Sequence, residues 1–190
     1  RVGEGLVTAR LFGDEPPPLS IEAAAHFSGP DNCYQDALFR IWGRTLPQLV
    51  VCMLNPSTAD HRVNDPTILA LIHFAKAWGY GGLYVVNLFS VRSPSPAEMM
   101  EAEDPVGPRG ENAVLAALSY ARERGDGRVL VAWGNDGNYR DRDAWFVKIA
   151  GEVELVCLGM TLSGAPKHPM ARGQHRIPRD QRPIVWRERA

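Results

Sequence analysis

The sequence predicts an α/β fold: three α/β/α layers around a central, mainly parallel four-stranded sheet, with a β-hairpin on the N-terminal side. Three observations predict it. From residue 48 onward, strand-like and helix-like segments alternate four times, as βαβ units and a parallel sheet require. The strand-like runs are branched and aromatic in content. The first helix carries its own start and stop signals.

Taken in order, "DEPPPLS" (14–20) breaks the chain, and residues 1–20 read as an arm holding either a short strand or a loose end. "CYQDALFRIWG" (33–43) and "QLVVCMLN" (48–55) are strands, and the short "RTLP" between them suits a hairpin. "PTILALIHFAKAWG" (66–79) is a helix, with Asp65 at the N-cap, Pro66 in the first helical position and Gly79 at the C-terminal stop. Ile68, Leu71, Ile72, Ala75 and Trp78 make its apolar stripe. "GLYVVNLFSV" (82–91) is a strand, and "SPSPAEMMEA" (93–102) a loop entering a short helix. A helix over 110–125, a strand over 127–135, a helix over 141–151 and a strand over 152–159 complete the series. The tail, 171–190, is rich in Pro, Gly and Arg and reads mostly as loop.

With 190 residues, the chain makes one domain spanning 1–190. A net charge of -1 gives no global field toward nucleic acid or anionic membrane. No apolar run approaches the roughly 20 residues of a bilayer span, and the opening stretch has no signal-peptide core. Cys33, Cys52 and Cys157 form no CxxC pair, so no metal site and no cofactor is expected. A cytoplasmic monomer is the expectation.

In an open parallel sheet, ligands bind outside the carboxyl ends of the strands. Asn55-Pro56-Ser57-Thr58-Ala59-Asp60 follows the first of these strands, Asn87, Phe89, Ser90 and Arg92 the next, Trp133-Gly134-Asn135 the third, and Lys167-His168 the last. Singly, each has a plainer reading: Asn55-Pro56 ends a strand, Asn87 caps a turn, Trp133 packs a core. Asp65 reads as a helix cap, whereas Asp60 belongs to neither helix nor apolar run. The combination suggests a cleft that hydrogen-bonds something planar and polar.

The set LNPSTAD…DPT, NLF.VR, AWG and HP, from about Tyr34 to Met170, resembles an uncharacterised family of bacterial and phage proteins, a domain of unknown function. In motif order the chain is also similar to the uracil-DNA glycosylase superfamily. That resemblance implies a glycosylase-like fold. Asn55-Pro56 would stand where those enzymes position the attacking water, and Asn87 where they read the base. Trp133-Gly134 would match the third motif, and His168-Pro169 the late loop. Ser57 stands where uracil-specific members carry an aromatic, and Met170-Ala171 follows the His-Pro pair in place of Ser-Pro.

The implied chemistry is cleavage of an N-glycosidic bond, with Asn55, Asp60 and His168 as catalytic candidates. His168 would donate to charge developing on the departing base. Pro56, Ser57, Asn87, Phe89 and Trp133 would surround the base, with Phe89 or Trp133 stacking on it. Arg92, Lys167, Arg172 and Arg176 would meet the phosphates of DNA or a nucleotide. An amide cannot serve as a base near neutral pH, so a module that binds without hydrolysis is the alternative. A third reading, Ser57 as nucleophile with His168 as its base, lacks a GxSxG elbow.

Overall fold

The computed structural model describes residues 21–57 and 64–187. The arm at 1–20 and Asp60 lie outside the described residues. The elements run β1 (Glu22–Ser28), β2 (Tyr34–Ile41), β3 (Gln48–Met53), α1 (Pro66–Ala77), β4 (Gly82–Asn87), α2 (Pro96–Glu101), α3 (Gly110–Glu123), β5 (Arg128–Val131), α4 (Arg142–Ala150), β6 (Glu154–Cys157) and β7 (Ile184–Arg187). The class is α/β.

The sheet is wider than expected and mixed: seven strands in the order β1-β2-β4-β3-β5-β6-β7. β3 pairs in parallel with β4 on one side and β5 on the other, and β5 pairs in parallel with β6. β1–β2, β2–β4 and β6–β7 are antiparallel. The connection from β3 runs through α1 to β4, and that from β5 runs through α4 to β6 on the opposite side. A crevice is expected where such connections diverge, above the carboxyl ends of β3 and β5.

Alternate residues of the central strands feed two cores. Leu49, Val51, Leu83, Val85 and Leu130 face α1 through Ile68, Leu71 and Ile72. Val50, Cys52, Tyr84, Val86 and Val129 face α2, α3 and α4 through Met99, Val114, Leu118 and Phe146. Helices therefore cover both faces, and β3 is buried at Leu49 through Met53 because neither of its faces meets water. The α1 signals are met: the Asp65 carboxylate accepts from Ile68 N at 2.8 Å, and Gly79 adopts φ 87°.

Two expectations are corrected, and one strand is new. The hairpin joins β1 to β2 rather than 33–43 to 48–55. Both edges of β3 are taken by parallel neighbours, so β2 pairs with β4 instead. β1, "EAAAHFS", is a strand whose Ala-rich sequence carries little strand propensity; its pairing with β2 decides it. The tail contains β7, formed by the branched and aromatic "IVW". Before β7 the tail crosses α1: Trp78 Nε1 donates to the Gln181 carbonyl at 3.0 Å, and Ile177 is buried. Among the described residues no helix is long and apolar enough to cross a membrane.

The start of β4 depends on a close backbone approach. Trp42 N and Gly43 N both donate to the Gly81 carbonyl, and a Cβ on Gly81 would meet the Gly43 oxygen at 2.0 Å. Gly81→Ala should therefore destabilise the protein by about 1–3 kcal/mol through forced backbone displacement. Chemical denaturation measures this, and an unchanged midpoint would contradict it.

Candidate functional site

The strand exits stay laced together beyond the strands themselves. Leu88 N and Phe89 N donate to the carbonyls of Met53 and Leu54, and Ala132 N donates to that of Cys52, each at 2.9 Å. Gly134 N donates to the Pro166 carbonyl at 2.8 Å, which docks the late His-Pro loop beside the exit of β5. Above these bonds lies a cleft of about 400 Å³, within the range of small-molecule sites. Asn55, Pro56, Ser57, Asn87, Trp133 and His168 all line it.

Each candidate has a distinct setting. The Asn55 amide nitrogen is held by the Pro56 carbonyl at 3.2 Å and by Ser93 through its carbonyl at 3.2 Å and hydroxyl at 3.3 Å. That fixes the amide and leaves Oδ1 as an acceptor. Ser93 N donates back to the Pro56 carbonyl at 3.1 Å, joining the two loops. Asn87 ends β4 at 6% exposure.

His168 is half-buried, and its Nδ1 accepts from Met170 N at 3.1 Å. Accepting at Nδ1 places the proton of the neutral ring on Nε2. Burial pushes its pKa below the ordinary histidine value, and the Asp65 charge opposes that. The imidazole is thus a neutral donor near pH 7.

Asp65 does more than cap a helix. One oxygen accepts from Ile68 N and the other from Ser57 Oγ at 2.9 Å, and the residue lines the cleft. Behind it, Arg40 is a guanidinium only 1% exposed, whose Nε donates to Asn64 Oδ1 at 2.7 Å. Burial lowers the Arg40 pKa and Asp65 counters it. One carboxylate thus acts on a buried cation and on the cleft imidazole together.

Other candidates fall elsewhere. Phe89 is fully buried against the Tyr139 ring and does not line the cleft, so it cannot stack on a ligand there. Trp133 lines the cleft at 3% exposure, but its ring packs edge-on against Phe146 and Trp186 and lies against Gly137. Arg92 lies over the Phe27 ring, 5.3 Å from its centre, and does not line the cleft. Lys167 is half-buried beside Gly159, next to His168. Arg172 and Arg176 line a second groove of about 560 Å³ between α1 and the tail, with Leu69, His73 and Arg179.

Residues 37–170 match the model of a protein family described as "Protein of unknown function (DUF1643)". The chain belongs to the DUF1643 family. No curated protein and no solved structure matches it. The DUF1643 match covers the exits of all four parallel strands and ends at Met170, whose amide bonds His168.

Sequence reasoning missed Gln35, Ser93, Ser95 and Asp136, all of which line the cleft. The "SPSP" run held a usable signal, because two prolines in four residues stiffen a loop against which Asn55 can be fixed. Among the described residues no group of three or more His, Cys, Asp or Glu could hold a metal.

Asp65→Asn preserves a good N-cap while removing the charge that raises the His168 pKa. The His168 pKa should move further below the ordinary value in this variant, as followed by imidazole NMR shifts against pH. An unchanged titration would show that Asp65 does not act on the ring. Stability linked to His168 follows the sign of its shift: with the folded pKa depressed, it is retained above the unfolded pKa of about 6.5. It falls as acid protonates the unfolded chain first.

Proposed function

We propose that the cleft binds a nucleobase, in DNA or in a nucleotide, and that the protein is a uracil-DNA-glycosylase-like hydrolase of the N-glycosidic bond. The observation that carries this reading is the convergence of Asn55, Asn87 and His168, from separate strand exits, on one cleft. The motif order supports it, since these residues stand where the resemblance implies a water-positioning pair, a base reader and a leaving-group donor.

In the proposed step, water held by Asn55 Oδ1 adds to the sugar C1′ as the bond from C1′ to the base nitrogen breaks. The base takes the electron pair, and the proton lost by water ends on the released base. His168 Nε2–H donates to the base oxygen on which charge develops, and a neutral imidazole suits that role. A base within duplex DNA would first be flipped out, at a cost of a few kcal/mol. The groove bearing Arg172, Arg176 and Arg179 offers cations for the flanking phosphates.

A specific observation favours the second reading, binding without hydrolysis. Both oxygens of Asp65 are already engaged, by Ile68 N and Ser57 Oγ, and Asn55 cannot take a proton from water.

The test is abasic-site formation on single-stranded oligonucleotides carrying uracil or hypoxanthine. His168→Ala should slow cleavage by about 10²–10³-fold, the loss typical of removing one donor to a developing oxyanion. Asn87→Ala should weaken binding by about 1–3 kcal/mol. Binding without cleavage by wild type would establish the second reading. Absence of both would refute the nucleobase site.

A further inference from the structure

The proposed hydrolysis needs a group that takes a proton from water, and Asn55 cannot be that group. Two carboxylates line the cleft, Asp65 and Asp136. They differ in how they are held. Asp136 is exposed in the turn that follows β5, and among the described residues no hydrogen bond orients its side chain. Asp65 is half-buried at the start of α1, and both of its oxygens are fixed. Oδ1 accepts from Ile68 N at 2.8 Å, and Oδ2 accepts from Ser57 Oγ at 2.9 Å. A helix cap needs only the first of these bonds. The second ties the carboxylate to an exposed hydroxyl on the loop that carries Asn55.

An ionised carboxylate has about four lone-pair sites, and these two bonds fill two of them. A serine hydroxyl donates one hydrogen and accepts at its lone pairs. Ser57 can therefore donate to Asp65 while accepting from a water in the cleft. Beyond Ser57 Oγ, a proton leaving that water has a single 2.9 Å step to Asp65 Oδ2. Charge balance favours this route. The departing base takes up negative charge, which an anionic carboxylate in the same cleft would oppose. A proton on Asp65 neutralises the carboxylate as the base becomes anionic, so negative charge is transferred rather than doubled. The Asp65 charge does reach across the cleft, since it acts on the His168 ring.

We infer that Asp65 is the proton acceptor of the site, reached through the Ser57 hydroxyl. This deepens the hydrolytic reading and rests on it. In the step, the water oxygen bonds to C1′ while the bond from C1′ to the base nitrogen breaks and the base keeps the electron pair. The water proton passes to Ser57 Oγ as the serine's own proton passes to Asp65 Oδ2. The carboxylic acid then gives its proton to the released base by way of solvent, which restores the carboxylate.

The experiment is single-turnover abasic-site formation on a single strand carrying uracil or hypoxanthine, with binding of the same strand measured separately. It is run at about pH 8, where the His168 imidazole is neutral with or without the Asp65 charge. Asp65→Asn keeps a good cap and should slow cleavage by about 10²–10⁴-fold, the loss expected for a positioned base. It should not weaken binding, because it removes a negative charge from the cleft. Ser57→Ala should lose rate in the same range, and Ser57→Thr, which keeps a hydroxyl, should recover most of it. Ser57 is exposed, so its variants test the route even where Asp65→Asn folds poorly.

Cleavage by Asp65→Asn or by Ser57→Ala at the wild-type rate would overturn the inference and leave the glycosylase reading standing. A greater loss in Asp136→Asn than in Asp65→Asn would overturn it as well. Strand binding without cleavage by wild type would end it too, since a proton acceptor would then have no reaction to serve. Absence of both binding and cleavage refutes the nucleobase reading, and the inference falls with it.

Discussion

The parallel pairing of β3 with β4 and β5 is the constraint on which the rest depends. A strand bonded along both edges and covered on both faces has no freedom to slide, because a one-residue slip would turn each of its side chains to the opposite core. With β3 fixed, the carboxyl ends of β3, β4 and β5 fall at one end of the sheet. The helical crossovers diverge there, α1 leading one way and α4 the other. The cleft is a consequence of topology before any polar residue is considered.

Hydrogen bonds between loops then turn an opening into a shaped site. Ser93 grips the Asn55 amide, and the Pro166 carbonyl receives Gly134 N. Both contacts join segments far apart in sequence. The side chains that hold the loops are themselves held, which is what separates a preorganised site from a collection of polar residues. Asp65 belongs to the same economy of parts, since its two oxygens bind a helix terminus and a cleft hydroxyl while its charge acts on Arg40 and His168.

What the sequence disclosed follows from locality. Asn55, Asn87 and His168 were legible because each follows an apolar run whose end is visible from composition. The Asp65-Pro66 helix start was legible because a cap needs only neighbouring residues. Partners distant in the chain were not. Nothing in "YQDALFRI" separates Gln35 from an ordinary surface polar residue, and its place in the same cleft as Asn87 exists only in the folded sheet. Phe89 misled for a related reason: Leu88 and Phe89 both turn into one core, so the strand's alternation ends at Asn87. β7 was hidden because Arg and Pro dominate the tail, while four residues paired to β6 decide its structure.

The cysteines have a practical consequence. Cys52 and Cys157 are fully buried in the sheet, and burial raises both thiol pKa values, so neither offers thiolate to a reagent at ordinary pH. Cys33 is half-buried, and its carbonyl accepts from Arg92 N at 2.9 Å. It stands two positions before Gln35 in the chain. A thiol-reactive fluorophore would therefore attach preferentially at one native position, at the entry to β2, without an engineered cysteine.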